Sequence, residues 1–295
     1  MLFNLIKARK IGYIISTLVI IPGLISLMFQ GLNLGIDFTG GNLLEVKFDR
    51  PVAVQEVRQV MAEHGVDSSR GIQQVGDDNF IIRTQVLDDA ESAKLLKSMD
   101  EQIGGMTLLR NDFVGPVIGK ELTQRALLAL LVASVLMVIY ISVRFEFKQG
   151  IAAIVALLHD VLVVLGIFSI FQLEVDSAFV AAMLTIIGYS INDTIIIFDR
   201  IRENLRPRSK MTLEDLVNVS IWQTLTRSIN TGVTVLLVLV AMYFLGGVTI
   251  KYFVLAMIIG VISGTYSSIF NASPLWVDMK LREKKPRRLQ PADAN

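Results

Sequence analysis

The sequence contains no cysteine and only two histidines, His64 and His159, among its 295 residues. The lack of cysteine excludes disulfides, zinc–thiolate sites, iron–sulfur clusters and cysteine nucleophiles. Two histidines are too few for a histidine-rich metal site, so we predict neither a metal nor an organic cofactor. Charged residues are scarce too, at 19%, whereas 53% of the residues are hydrophobic. This balance is not that of an ordinary soluble domain.

Six long stretches are apolar and close to the length of about 20 residues that crosses a bilayer. The first, Ile11–Phe29, resembles a secretory signal, but it is nearly a full span and no A-x-A-like site follows it. We therefore predict an uncleaved first span within residues 1–30. Five further spans are predicted within residues 126–271, at about 126–143, 151–171, 178–198, 230–246 and 250–270.

The basic residues of the short loops lie almost entirely on one side of the predicted spans. They are Lys7, Arg9, Lys10, Arg144, Lys148, Arg200, Arg202, Arg206, Arg208, Lys210 and Arg227, and the tail 272–295 adds six more. The opposite side has only Lys251 in its short loops. By the positive-inside rule, both termini are predicted to be cytoplasmic, and residues 31–125 to be exported.

Residues 31–125 differ from the rest of the chain because they are polar and mixed in charge. Short alternating and helical patterns follow one another there. The predicted strands are 42–48, 71–75, 79–85 and 106–113, and the predicted helices are 51–64 and 90–103. The order β-α-β-β-α-β predicts a ferredoxin-like α+β domain. The fold class is therefore a polytopic α-helical membrane protein with an exported ferredoxin-like domain.

Two predicted spans carry carboxylates, which are costly inside a bilayer and commonly serve ion or proton movement. Asp193 lies in the fourth span, next to Asn192 and four residues after Tyr189. Asp160 lies near the middle of the third span, beside His159. We predict a proton-relay role for Asp193. For the other polar residues, hydrogen bonding between helices is the competing explanation.

Arg227 precedes the fifth span, and Thr231 and Thr234 follow it at helical spacing. If spans four and five are neighbours, Arg227 is able to pair with Asp193. A helix movement that brings Arg227 closer or removes it would then make Asp193 release or take up a proton. Proton transfer coupled to such a movement is the hypothesis that this spacing supports.

Two other features have simpler explanations. Gly260, Gly264 and Ser268 are spaced by four residues in the last span, a pattern typical of close helix packing, within the chain or against a partner protein. The basic tail resembles a nucleic-acid patch, but directly after a span it more often anchors the topology or contacts anionic membrane lipids. We therefore predict no nucleic-acid partner.

Five blocks, in order along nearly the whole chain, resemble one family. They are GIDFTGG at 35–41, FVGPVIGKEL at 113–122, ALLHD at 156–160, GYSINDTIIIFDRIREN at 188–204 and QTLTR at 223–227. These blocks resemble the SecF half of the SecD/SecF family of protein-export membrane proteins. The long block around Asp193 is far more specific than a single membrane aspartate.

The resemblance implies a six-span bundle of the resistance-nodulation-division type in the bacterial inner membrane, paired with a separate SecD subunit. It also implies partnership with the SecYEG channel, YajC and a translocating polypeptide, driven by protons or alternatively by sodium. Asp193 and Arg227 would belong to the proton pathway. Asp37, Gly40 and Gly41 would form the junction between the first span and the exported domain, with the glycines acting as a hinge.

Two other functions fit parts of the sequence. One is a proton-coupled exporter of small molecules or lipids, which substrate accumulation in vesicles containing this protein alone would favour. The other is an intramembrane aspartyl protease using Asp160 and Asp193 as a dyad. The two aspartates are predicted to differ in depth by a turn or more, and the Gly-x-Gly-Asp pattern of that class is absent. We expect a non-enzyme.

Overall fold

The computed structural model of the chain describes residues 4–66, 71–205, 211–247 and 249–283. The chain divides into two compact units. One is Leu34–Leu128, and the other combines Met1–Asn33 with Ala129–Asn295. The predicted basic residues Arg206, Arg208 and Lys210, and the tail beyond residue 283, lie outside the described residues.

The smaller unit contains a four-stranded antiparallel sheet. After the short strand β1 (Asn33–Leu34) and the one-turn helix α2 (Ile36–Thr39), the sheet strands are β2 (Gly41–Phe48), β3 (Ile72–Val75), β4 (Asn79–Thr84) and β5 (Met106–Val114). The helices α3 (Val54–Glu63) and α4 (Asp89–Ile103) alternate with them. The spatial order β3-β4-β2-β5 and the antiparallel pairing are those of the split βαβ topology.

Apolar side chains on one face of this sheet form the core of the smaller unit. Leu44, Val46 and Phe48 alternate along β2 and are fully buried, together with Phe80 and Ile82 of β4. The helices contribute Val57, Met61, Leu95 and Met99, which recur at helical spacing. At the start of α4, Asp88 accepts a hydrogen bond from the Glu91 backbone N–H, and Glu91 accepts one from the Asp88 N–H, a reciprocal cap that begins the helix.

The remaining elements are long helices. They are α1 (Arg9–Phe29), α5 (Pro116–Arg144), α6 (Phe147–Ile170), α7 (Ser177–Leu205), α8 (Leu213–Leu245) and α9 (Lys251–Ser267), with the short strand β6 (Glu174–Val175) before α7. A π-helical turn, Ser268–Ala272, joins α9 to α10 (Ser273–Glu283). Six segments are long and apolar enough to cross a membrane, the last being Lys251–Glu283. The six predicted spans are confirmed, and most helices continue past the apolar residues into polar ends.

The helices of the bundle differ in how much of their apolar window, an apolar stretch of 18 residues, is buried. About half of each window is buried in α6, α7 and the Lys251–Glu283 segment, but only 17% in α8 and 6% in α5. One close backbone approach holds α1 against α6. Gly23 of α1 meets Gly166 of α6 backbone to backbone, and a Cβ on either residue would lie within 2.8 Å of the other's Cα.

Ion pairs join the helices at one end of the bundle, which we call the basic end. Arg9 binds both Glu214 and Asp278 at 2.9 Å. Arg144 binds Asp199, and Lys148 binds Glu283. Because these residues come from α1, α7, α8, α10 and the α5–α6 region, these pairs place the corresponding helix ends at the same level.

Candidate functional site

Asp193 lies at the junction of α7, α8 and α9, with its side chain 1% exposed. Its Oδ2 accepts a long hydrogen bond from Thr265 Oγ1, at 3.3 Å. Its Oδ1 is buried and has no hydrogen-bond partner among the described residues. The hydroxyl groups of Ser228 and Tyr189 lie nearby and are likewise buried without a partner that meets hydrogen-bond geometry. Asp193 is thus an under-coordinated carboxyl group within an apolar bundle.

Gly232 of α8 leaves room for this group of polar side chains. A Cβ at Gly232 would lie 3.4 Å from Thr265 Oγ1 and 3.6 Å from the Tyr189 hydroxyl. We call Asp193, Tyr189, Ser228 and Thr265 the Asp193 cluster. Its members come from three helices and include more polar atoms than the hydrogen bonds between them use, an arrangement suited to a group that changes protonation.

Asp160 of α6 lies in a different environment. It is fully buried, and its two carboxylate oxygens contact four polar groups within 2.9 Å: Ser190 and Ser267 donate to Oδ2, Ser263 donates to Oδ1, and His159 Nδ1 also contacts Oδ1, donating in the tautomer that has its proton on Nδ1. An ionised carboxylate accepts about four hydrogen bonds, so its capacity is filled. The serines come from α7 and α9, and Asp160 therefore connects three helices.

The small-residue stripe of α9 explains how Ser190 reaches Asp160. A Cβ at Gly264 would lie 3.1 Å from both Cα and Cβ of Ser190, and one at Gly260 would clash with Ile186 of α7. Ser268 forms a hydrogen bond of 2.8 Å with Thr194 of α7. The predicted packing stripe thus packs against α7 of the same chain.

Arg227 does not form an ion pair with Asp193 among the described residues. The Arg227 side chain is exposed, Thr234 is exposed and Thr231 is only half-buried. One position further along α8, Ser228 is 1% exposed and belongs to the Asp193 cluster. One residue is about 100° of helix rotation, so the predicted Arg-Thr-Thr stripe lies on the outer face of α8 beside the cluster.

A polar cleft runs between α7 and α8 on this outer face. It has a volume of about 670 Å³, and its polar lining residues are Asn192, Asp199, Arg200, Glu203, Gln223, Thr224 and Arg227. Asn192, the neighbour of Asp193, is exposed there. In the cleft, Arg200 donates to Gln223 of α8 and to Glu203 of its own helix. Asn192 and Arg227 therefore belong to a surface next to Asp193.

The predicted junction residues lie at the start of the smaller unit's sheet. Asp37 is in α2, and Gly40 and Gly41 follow with φ angles of +70° and +127°. A Cβ at Gly41 would lie 2.2 Å from the Thr84 carbonyl oxygen. Backbone conformation and close strand approach therefore require these two glycines, independently of any hinge.

Sequence reasoning found both aspartates but not most of their partners. Ser190, Ser263, Ser267, Thr265 and Ser228 were missed, because single hydroxyl residues are common in membrane helices. The available signal was the four-residue spacing of Ser263 and Ser267, which places both on one face of α9.

Comparison with known proteins identifies the family. Residues 92–282 match the family described as protein export membrane protein SecD/SecF, C-terminal, and residues 25–52 match the SecD/SecF GG motif. The protein translocase subunit SecF of Thermobaculum terrenum is 42% identical over 96% of this chain and 95% of its own length. SecDF of Bacillus subtilis is 41% identical over 94% of this chain, but over only 38% of its own length.

A solved structure has the same architecture. The crystal structure of SecDF, described as a translocon-associated membrane protein, from Thermus thermophilus superposes with a TM-score of 0.88 and 37% identity. The match covers 95% of this chain and 39% of the SecDF chain. This chain therefore spans about two fifths of a SecDF protein, although nearly all of a SecF protein. It is a multi-pass membrane protein, and it belongs to the SecD/SecF family of protein-export membrane proteins.

Proposed function

We propose that this chain works with SecD as a proton-driven accessory subunit of the Sec protein translocase. It would lie in the bacterial inner membrane with both termini cytoplasmic and the Leu34–Leu128 unit exported. Its relatives are translocase subunits by name, which supports a role in protein export rather than an enzymatic reaction. The loop charges described above support the orientation.

The observation that carries the proton-driven role is the contrast between the two buried aspartates. Asp160 has four donors and no free acceptor position. Asp193 has one long hydrogen bond and one oxygen without a partner among the described residues. A proton can add to the free oxygen of Asp193 without breaking a hydrogen bond. Asp193 is therefore the better proton carrier.

The polar cleft beside Asp193 supports a SecD partner. Asn192 and Arg227 are exposed on outer helix faces, and polar groups facing lipid are costly within a membrane. A second membrane unit packed over α7 and α8 would cover them. The low burial of α8, at 17% of its apolar window, is consistent with such a missing neighbour.

The same geometry suggests how protonation is coupled to movement. Arg227 lies on the rim of the cleft that Asn192 also lines, so a modest rotation of α8 would bring its guanidinium towards Asp193. The approach of a cation favours release of the proton, and its withdrawal favours uptake. Moving one charge across the membrane provides about 2.3 kcal/mol per 100 mV, enough to bias a two-state movement more than tenfold.

The test is co-purification with SecD and SecYEG, followed by preprotein export into vesicles under a proton gradient. Asp193→Asn should retain binding to SecD and lose gradient-dependent export. Glu146→Gln is the control, because Glu146 is exposed at the start of α6 in an ion pair with Lys280, outside the polar cleft, and its replacement should leave export intact. Full gradient-dependent export by Asp193→Asn would refute the proposal.

Further arms of the same experiment test the remaining proposals. YajC and a translocating polypeptide should crosslink to the complex, and replacing the proton gradient with a sodium gradient identifies the coupling ion. Accumulation of a small molecule in vesicles containing this chain alone would instead support an exporter.

A further inference from the structure

A groove with two distinct parts lies along α1, α6 and α10, away from the Asp193 cluster, and His159, which contacts Asp160, lines its inner part. Its outer part, the basic mouth, has a volume of about 430 Å³ and is lined by Arg9, Lys10, Tyr13, Asp278, Leu281 and Arg282. Its inner part, the apolar slot, has a volume of about 460 Å³ and extends past Thr17 to Ile20. Tyr13 lines both parts, so they are adjacent along α1.

The basic mouth contains positive charge that the protein does not neutralise. Arg9 is held by Glu214 and Asp278, and the Tyr13 hydroxyl also donates to Asp278. Lys10 and Arg282, by contrast, form no ion pair among the described residues. The lining therefore has three cations and one anion, and a net positive charge remains even when Glu214 is included.

Lys7, outside the groove, also forms no ion pair among the described residues, but most other cations at the basic end do. Arg144, Lys148, Arg200, Arg202 and Lys280 all bind a carboxylate there. Lys10 and Arg282 have no carboxylate partner among the described residues and line the same depression, which indicates a binding place for an external anion.

The apolar slot indicates that the part of the ligand next to the anion is hydrophobic. Its wall is almost entirely hydrocarbon, including Ile20, Val155, Leu162 and Leu275, and it opens to the surface beside Leu158, which is 55% exposed. Between Tyr13 and Ile20 the helix rises about 10 Å, so the slot follows about two turns of α1 away from the basic mouth.

We propose that this groove binds one anionic phospholipid of the leaflet at the basic end. The headgroup phosphate lies between Lys10 and Arg282, and an acyl chain lies in the slot beside Thr17 and Ile20. An anionic head directly above a hydrocarbon chain is the chemistry of an anionic phospholipid, and cationic side chains at the membrane surface attract such a lipid. Neither Asp193 nor Arg227 is among the residues that line the groove.

Native mass spectrometry of the full chain in detergent tests this assignment, with phosphatidylglycerol and phosphatidylcholine added at equal concentrations. Lys10→Gln with Arg282→Gln should weaken phosphatidylglycerol binding about 30-fold, at about fivefold per charge, and leave phosphatidylcholine binding unchanged. Lys7→Gln with Lys251→Gln removes two charges outside the groove and should have little effect. Equal loss in both double variants would overturn the proposal.

A second pair of variants tests the slot. Thr17→Trp would fill it, whereas Leu18→Trp places the same indole at a neighbouring exposed position outside it. Only Thr17→Trp should reduce phosphatidylglycerol binding. Competition by inorganic phosphate distinguishes a lipid from a free anion: displacement of the lipid at equal concentration, or unchanged binding in Thr17→Trp, would show that the mouth binds phosphate alone and refute the lipid site.

Discussion

Replacing each membrane aspartate by asparagine should separate a structural carboxylate from a functional one. Asp160 receives three hydroxyl donors from α7 and α9, as well as His159 of its own helix. Interhelical hydrogen bonds in membrane proteins average about 0.6 kcal/mol, with a maximum of about 1.7. Three of them give about 2–5 kcal/mol, and an asparagine side chain offers only one acceptor oxygen to these donors.

Asp193 has a single interhelical hydrogen bond, at 3.3 Å, so the same calculation gives about 0.6 kcal/mol or less. We expect Asp160→Asn to lower the free energy of unfolding by about 2 kcal/mol or more, and Asp193→Asn to leave it nearly unchanged. Denaturant unfolding in micelles, followed by tryptophan fluorescence, measures both, and the export assay is run in parallel.

The expected pattern is reciprocal: Asp160→Asn loses stability, whereas Asp193→Asn loses gradient-dependent export while remaining folded. Glu146→Gln should change neither by much, because Glu146 is exposed and exposed ion pairs contribute under about 1 kcal/mol. If Asp193→Asn proved the less stable variant, the inference from hydrogen-bond coordination to role would be wrong.

Three further predictions concern packing and the exported unit. Gly166→Ala should destabilise the bundle by about 1–3 kcal/mol through its backbone contact with α1, whereas Gly188→Ala, with no atom within 4 Å, should be neutral or stabilising in thermal unfolding. Gly41→Ala combines a φ of +127° with a clash against a carbonyl oxygen, and should cost about 2–6 kcal/mol, measured as loss of folded protein. The Arg50 guanidinium and the Ala53 N–H hold the pKa of Glu56 below its usual 4.5. The stability that Glu56 contributes is therefore present above pH 4.5 and is lost as the pH falls through its lowered pKa. Glu56→Gln should remove that part of the acid dependence of unfolding, and an unchanged pH profile would contradict this.

The strands and helices of the smaller unit could be predicted to within about three residues, because their patterns are local. Alternating apolar residues in β2, the reciprocal cap at Asp88 and the turn between β3 and β4 each act within a few residues. The strand order is a non-local property, but the split βαβ connectivity permits few arrangements, and the structure has the corresponding one.

Helix orientation about its axis was the main limit in the membrane unit. The spacing of Arg227, Thr231 and Thr234 correctly places them on one face of α8, but nothing in that spacing says which face points inward. The structure turns Ser228 and Gly232 towards Asp193 instead. The polar and apolar residues of α8 are not segregated to opposite faces, so hydropathy alone does not determine its rotation.

By itself, the sequence determined that this chain crosses the membrane six times, where its two buried aspartates lie and which family it belongs to. Hydropathy, loop charge and motif are properties of residues that are neighbours in the sequence, so they can be recognised without the tertiary structure. Only the tertiary structure decided that Asp160 has a full set of donors and Asp193 has not. The three serine donors of Asp160 lie 30 to 107 positions away in the sequence, and close packing of α9 on α7 at Gly264 brings them into contact with it.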